Sequence, residues 1–155
     1  MTLLIKKGTR EMNPSEVFFR DLERGKAVEE KVLKIIKRKY PCACIVDGFK
    51  GYDIWVPEIH KSIEVKYDPM SNDTGNMFIE IEFNNKASAL ITTTADYWIF
   101  HDDHKYILMT PMEIVNCIFI NKLVHVNFIG KGDVKDKKGF LIPKETLFKY
   151  GKEMK

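Results

Sequence analysis

The hydrophobic and polar positions of the first half predict one helix followed by several short strands. The segment Asn13-Pro14-Ser15-Glu16 is typical of a helix start with Ser15 as the N-cap, and the helical pattern continues to Tyr40 before Pro41 ends it. Short β-rich runs follow at 42–47, 52–56, 61–67 and 77–83. The polar stretch 68–75 between the last two runs is predicted to be a loop.

The second half mixes both patterns. A short helix is predicted over 85–93, and strands over 97–100 and 106–109 are joined by residues 101–105. Thr110-Pro111 opens a helix that runs to about Asn121. A strand at 124–129, a lysine-rich loop at 130–139, a short run at 140–142 and a last helix from Pro143 complete the chain. This order predicts an α/β fold, with a central mixed β-sheet flanked by helices.

Composition narrows the class of protein. The 155 residues, 45% of them hydrophobic, suit a single domain covering 1–155. No apolar run approaches the ~20 residues that a membrane span needs, and the N-terminus resembles no secretion signal, so we expect an intracellular protein. Its three cysteines are then free thiols, with Cys42 and Cys44 expected in a buried strand. A net charge of +3 permits an anionic partner without proving one.

Candidate chemistry begins with two acidic residues on neighbouring predicted strands. Asp53 opens one strand, and Glu64, Val65 and Lys66 lie within the next. Glu64 and Lys66 share a face of that strand, and a hairpin would bring Asp53 near Glu64. A divalent cation relieves the repulsion between two carboxylates, and the Val65 carbonyl is the natural third ligand for Mg²⁺. Each residue alone also suits a turn or a solvated strand face.

A third carboxylate lies on the predicted first helix. The inward-facing stripe has one gap, which Glu29 fills; its other members are Phe18, Leu22, Gly25, Val32 and Ile36. The next residue, Glu30, points ~100° further round the helix. Because an unpaired buried carboxylate is costly, Glu29 either pairs with a buried Lys or Arg or belongs to the metal site.

The order of these acidic residues resembles that of a known family. The helix reads FxxDLxxGxxxE (Phe18, Asp21, Leu22, Gly25, Glu29), and it is followed by a strand Asp and an ExK strand. Together they resemble the PD-(D/E)XK nuclease superfamily, most of all its small phage-type and Holliday-junction-resolvase-like members. The resemblance also covers the stretch from Ser88 through 94–100, and so spans roughly residues 15–110. One departure is Tyr52, where the family usually has proline before the aspartate.

The resemblance implies a restriction-endonuclease-like core and metal-dependent hydrolysis of DNA phosphodiester bonds. By position, Asp53 and Glu64 would bind Mg²⁺ or Mn²⁺, Lys66 would be the catalytic lysine, and Glu29 would be the helix acid. The implied partner is duplex or branched DNA, and resolvase-like members act as homodimers. The implied setting is intracellular, with a phage-encoded enzyme acting in its host cell. The alternative is a non-catalytic nucleic-acid-binding or assembly protein that retains the fold.

Weaker nucleic-acid-binding candidates are lysines. Lys86 falls where the superfamily often places a polar residue from its second helix. The predicted loop near the C-terminus either contacts phosphate or is simply solvated; its lysines are Lys131, Lys135, Lys137 and Lys138.

Three other features have competing interpretations. Glu80 and Glu82 either reach the face of Glu64 or are simply solvated or facing lysines across the strand. The segment 101–104, with two histidines and two aspartates, is better explained by a hairpin turn than by a metal site. Trp55 and Trp98 are interpreted as core or sheet-face aromatics, with DNA stacking as the alternative.

Overall fold

The computed structural model describes residues 11–129 and 136–155. The described helices are α1 (Pro14–Lys37), α2 (Ser71–Thr74), α3 (Pro111–Ile120) and α4 (Lys144–Phe148). The first five strands are β1 (Cys44–Ile45), β2 (Ile54–Val56), β3 (Lys61–Tyr67), β4 (Asn76–Phe83) and β5 (Lys86–Ala87). The remaining strands are β6 (Tyr97–His101), β7 (Tyr106–Met109), β8 (Val126–Phe128), β9 (Lys137–Pro143) and β10 (Lys152–Met154).

The strands form two sheets. The larger sheet has the order β1-β2-β3-β6-β7-β10 and is mixed, because β3 and β6 are parallel and the other neighbours are antiparallel. The smaller sheet, β5-β4-β9-β8, is antiparallel throughout. The predicted mixed sheet with helices is therefore confirmed. The second sheet and β10 were not predicted.

Two hydrophobic cores cover opposite faces of the mixed sheet. On one face, α1 buries Val28, Val32 and Ile36 against residues such as Ile54 and Ile63. On the other face, the smaller sheet and α3 pack over β6 and β7; this core includes Trp98, Phe100, Met77, Ile79 and Ile114. The smaller sheet thus covers the β6–β7 part of the mixed sheet, and α1 covers the reverse side.

Helix α1 begins earlier than predicted. Its N-cap is Asn13 rather than Ser15, because the Asn13 side chain accepts the Glu16 N–H while the Glu16 carboxylate accepts the Asn13 N–H. Pro14 then occupies the first helical turn, where a missing N–H costs nothing. The helix ends at Lys37, three residues before the predicted end at Tyr40.

The predicted apolar stripe of α1 is only half correct. Its second half, Val32 and Ile36, is buried, whereas Phe18 and Leu22 are 63% and 46% exposed. The buried residues of the helix all lie in its C-terminal half, so the N-terminal turns are left open to solvent. The helix phase nevertheless agrees with the prediction near Glu29, which is half-buried, while Glu30 is exposed.

The helix predicted over 85–93 is absent from the structure. Asn84 and Asn85 adopt left-handed φ angles of 49° and 61°, which form a tight turn between β4 and β5. Phe83 pairs with Lys86 across that turn. Asparagine tolerates this conformation better than most residues, and the turn here replaces a helix start.

Two further sequence predictions need correction. The lysine-rich segment is not a loop up to Gly139, since β9 begins at Lys137; Lys131 and Lys135 lie outside the described residues. Cys42 and Cys44 are exposed rather than buried, because β1 is an edge strand; Cys117 is buried, and all three thiols are free. Among the described helices, none is both long enough and apolar enough to cross a membrane.

Candidate active site

The antiparallel pairing of β2 and β3 brings Asp53 beside Glu64 and Val65. Ile54 is opposite Ile63, so Asp53, the residue just before the start of β2, falls opposite Glu64. The Asp53 N–H donates to the Ile63 carbonyl at 2.9 Å. The Val65 N–H donates to Asp53 Oδ2 at 2.7 Å. This last bond fixes the carboxylate at the edge of β3.

The edge of β3 is left unpaired by β2 from Glu64 onward. The two strands are in register only over Lys61–Ile63 of β3, and β1 pairs with the other edge of β2. In an extended strand the N–H and C=O of one residue point to the same side. Because the Val65 N–H points to Asp53, the Val65 carbonyl faces the same open edge.

A carboxylate and an aromatic ring contact Lys66 on the face of β3 that points away from α1. Its Nζ lies 2.9 Å from Glu64 Oε1 and 5.1 Å from the centroid of the Trp98 ring. Trp98 is buried, and its indole N–H donates to Thr93 Oγ1 at 3.0 Å. The Lys66 side chain is still 36% exposed, so its ammonium remains accessible to a ligand.

Glu29 approaches the same place from α1. Burial raises the pKa of Glu29 from 4.5 to about 7, with further contributions from the nearby charges of Asp53 and Glu64. Lys26 opposes the shift, and Asp47 adds to it. The helix carboxylate and the two strand carboxylates are therefore close enough to repel one another. Of the two interpretations of Glu29, this favours membership of the acidic cluster over pairing with a buried cation.

The strand carboxylates are also shifted. Burial raises the pKa of Asp53, although the Val65 N–H and Lys66 oppose the change. Burial raises the pKa of Glu64 as well; Lys66 opposes that rise and Asp53 adds to it. Three half-buried carboxylates with one nearby ammonium form a site with an excess of negative charge.

Two cavities flank the open edge of β3. The first, of about 400 Å³, lies between α1 and β3 and is lined in part by Gly25, Glu29, Val65 and Tyr67. The second, of about 210 Å³, lies on the opposite side and has both members of the ExK motif in its wall; its lining includes Lys50, Gly51, Glu64, Lys66 and Glu80. A ligand at the edge of β3 can therefore contact groups from both sides.

The donor set fits a hard divalent cation. Asp53 keeps Oδ1 available, Glu64 has a second oxygen, and the Val65 carbonyl faces the edge between them. Within residues 11–129 and 136–155, no three Cys, His, Asp or Glu side chains already converge as a metal-binding group. Mg²⁺ does not need such a cage, because it commonly uses one or two carboxylates together with waters and substrate phosphates.

Other predicted residues lie away from this cluster. Lys86 is exposed on β5, at the edge of the smaller sheet. On β9, Lys138 pairs with Glu82 at 3.3 Å and Lys137 lies over the Phe83 ring at 5.9 Å. Glu82 thus faces a lysine across the strand, which was one of its two interpretations.

The segment 101–104 forms the hairpin turn predicted for it. His101 pairs with Tyr106 across the β6–β7 hairpin, and Asp102 accepts the N–H groups of His104 and Lys105. Asp102 also pairs with Lys144 at 2.9 Å, which ties the turn to the start of α4.

Three residues near the site were not assigned a role from the sequence. Trp98 contacts Lys66 because the parallel register places Trp98 opposite Glu64, which no local pattern reveals. Asp47 was predicted as the last residue of a strand over 42–47, but it lies in a turn, where its charge adds to the raised pKa of Glu29. Glu80, weighed only as an alternative, lines the cavity of Glu64 and Lys66, and its Oε2 accepts the Ser88 hydroxyl at 2.8 Å.

Comparison with protein-family models, curated proteins and solved structures finds no match to this chain. The functional argument therefore depends on the geometry of the site and on the order of its residues in the sequence.

Proposed function

We propose that the chain is a divalent-metal-dependent nuclease with a restriction-endonuclease-like core, acting on DNA. The observation that carries this proposal is the meeting of Glu29, Asp53, Glu64 and Lys66 at the open edge of β3. These residues come from α1, the segment before β2, and β3, and their order along the chain supports the proposal because it resembles that of the superfamily motif. A purely solvated strand face would not require an aspartate fixed at the strand end or a helix carboxylate directed toward it.

The residues have distinct roles in this proposal. Asp53, Glu64 and the Val65 carbonyl would hold Mg²⁺, which supplies Lewis acidity and an activated water when bound. Lys66 carries a positive charge beside the scissile phosphate, where it stabilises the negative charge that develops during hydrolysis. The Trp98 ring and Glu64 hold its ammonium in place. Glu29 adds a carboxylate that orients water from the α1 side.

A mixed panel of substrates tests the proposal. Supercoiled, linear, single-stranded and branched DNA, together with an RNA of the same sequence, would be incubated with the protein in Mg²⁺ and in EDTA. We expect Mg²⁺-dependent cleavage of at least one DNA form, and Asp53→Asn should abolish it. Asp73→Asn, an exposed aspartate on α2, is the control and should cleave like wild type. Cleavage that is equal in EDTA and Mg²⁺ would contradict the proposal.

One observation favours a second candidate, a non-catalytic nucleic-acid-binding protein that keeps the fold. Lys66 Nζ pairs with Glu64 Oε1 at 2.9 Å, as expected for a structural ion pair. That candidate predicts binding to DNA in the panel without cleavage in any divalent cation. It also predicts that Asp53→Asn leaves the affinity for DNA unchanged or higher.

A further inference from the structure

A row of aromatic rings lies beside the second cavity. Phe49 and Tyr52 have ring centroids 4.9 Å apart, Tyr52 and Trp55 are 6.0 Å apart, and Trp55 and His60 are 6.3 Å apart. We call Phe49, Tyr52, Trp55 and His60 the aromatic row. Trp55 pairs across the strands with Ser62, two residues before Glu64. Residues two apart on a strand share a face, so Trp55 lies on the same face as Glu64 and Lys66. The other rings of the row follow from Trp55 through the ring contacts given above.

Phe49, at one end of the row, is exposed but contacts its neighbours on one side. Phe49 is 51% exposed, yet its ring packs closely on the backbone of Gly51. A Cβ at Gly51 would lie 2.4 Å from Phe49 Cε1, so no other residue fits there without moving the ring. Thr94 fixes the same segment by donating its hydroxyl to the Gly51 carbonyl at 3.2 Å. Phe49 thus contacts Gly51 and Tyr52 on one side and leaves about half of its surface available for a stacking ligand.

The aromatic row lies at the margin of the hydrophobic core that the smaller sheet covers. That core is built over β6 and β7, and among the described residues Tyr52 is the ring of the row that packs against it. Lys50 is exposed next to Phe49, and Lys50 and Lys66 line the same cavity. Rings beside cations are the combination that binds single-stranded nucleic acid, because every base has a face that can stack and every nucleotide has a phosphate.

We infer that the aromatic row binds unpaired bases of the strand whose phosphate lies at Glu64 and Lys66. In a duplex the bases are already stacked within the helix, so the rings have no free base faces to contact. A single strand, an overhang or the unpaired arm of a branched molecule does expose them. The inference rests on the proposed function and narrows its substrate to nucleic acid with an unpaired segment next to the scissile bond.

The two tryptophans allow this to be measured directly, without catalysis. Trp98 is 1% exposed and Trp55 is half-buried, so bases that stack on the row should quench Trp55 emission. A single-stranded oligonucleotide, a blunt duplex of the same sequence and a duplex with an overhang would be titrated in EDTA. Fluorescence anisotropy of a labelled strand gives the affinities. Phe49→Ala is the test variant, and Phe119→Ala, which is 76% exposed on α3, is the matched control.

We expect the single strand and the overhang to bind more tightly than the blunt duplex and to quench tryptophan emission. Phe49→Ala should weaken single-strand binding at least about fivefold, the lower end for loss of one base–aromatic stack, and should leave duplex binding unchanged. Phe119→Ala should bind like wild type. Equal single-strand affinity for Phe49→Ala and wild type, or equal quenching by single strand and blunt duplex, would overturn the inference.

The outcome separates this inference from the proposed function. Cleavage that needs Mg²⁺ and Asp53, in a protein whose cleavage and binding are unaffected by Phe49→Ala, would support the nuclease proposal and contradict the binding role of the aromatic row. Single-strand binding that depends on Phe49, without cleavage in any divalent cation, would support the binding role of the aromatic row and contradict the nuclease proposal.

Discussion

Replacing Glu29 with glutamine removes one charge from the acidic cluster while keeping the shape of the side chain. Burial and the charges of Asp53 and Glu64 raise the pKa of Glu29 from 4.5 to about 7. The folded protein therefore binds this proton more tightly than the unfolded chain, so stability falls as pH rises from 4.5 to 7 and the loss is constant above 7. The full shift corresponds to about 3 kcal/mol, and solvent screening of a half-buried group reduces the expected cost to about 1–2 kcal/mol.

Without metal, Glu29→Gln should therefore be more stable than wild type by about 1–2 kcal/mol at pH 8, and by almost nothing at pH 4. Urea unfolding in EDTA at pH 4, 6 and 8 measures this difference. In Mg²⁺ the same variant should cleave DNA more slowly or need more metal, because one acidic group of the site is lost. Stability without metal and activity with metal should thus change in opposite directions.

Glu30→Gln is the matched control, since Glu30 is the next residue of α1 and is exposed. An exposed glutamate contributes little, so its stability should stay within about 0.5 kcal/mol of wild type and its activity within a small factor. Destabilisation of Glu29→Gln at pH 8 would refute the reasoning, because it would mean that a cation pairs with the Glu29 carboxylate in the folded protein. An effect of Glu30→Gln on Mg²⁺ dependence would show that the helix acid is the wrong residue.

Two more predictions follow from charged groups of the structure. Mg²⁺ and Mn²⁺ should raise the melting temperature and support cleavage. Ca²⁺ should stabilise the fold but support little cleavage, because it holds its ligands less rigidly. An unchanged melting temperature with all three cations would contradict the metal site. Asp102→Asn should destabilise the protein by about 2 kcal/mol, because it removes the negative charge beside the mostly buried ammonium of Lys144, which otherwise donates only to the neutral Asn72 Oδ1. Asp103→Asn, at a more exposed neighbour, should cost far less in the same urea titration. Burial alone would raise the pKa of Asp102, but Lys144 and the Lys105 and His104 N–H groups lower it to about 2, so this contribution is present above pH 3.8 and is lost as pH falls toward 2.

Local patterns predicted the parts of the fold that depend on neighbouring residues. Strict alternation in KSIEVKY predicted β3 with its observed ends and with Glu64 and Lys66 on one face. The helical repeat placed Glu29 inward and Glu30 outward. These features needed only the periods of a strand and a helix, which the chain shows directly.

Features that depend on distant pairing were missed. The smaller sheet joins β4 to β9, segments about sixty residues apart, and neither strand carries a local sign of its partner. The contact between Lys66 and Trp98 depends on the parallel register of β3 and β6. Phe18 and Leu22 have the spacing of a buried stripe, but the helix extends beyond the core that would cover them. Periodicity shows which face of a helix is apolar, but it does not show how much of that face packs against the core.

The most direct test of the proposed active site is a comparison of two lysines on β3. Lys66→Ala removes the ammonium beside Glu64, whereas Lys61→Ala changes the other end of the same strand. Single-turnover cleavage rates and DNA affinities would be measured for both variants. We predict that Lys66→Ala lowers the cleavage rate by a factor on the order of 10² or more. Its DNA affinity should change only modestly, because phosphate contacts are spread over many lysines and arginines. Lys61→Ala should cleave at close to the wild-type rate. Cleavage by Lys66→Ala at the wild-type rate would contradict the assignment of Asp53, Glu64 and Lys66 as an active site.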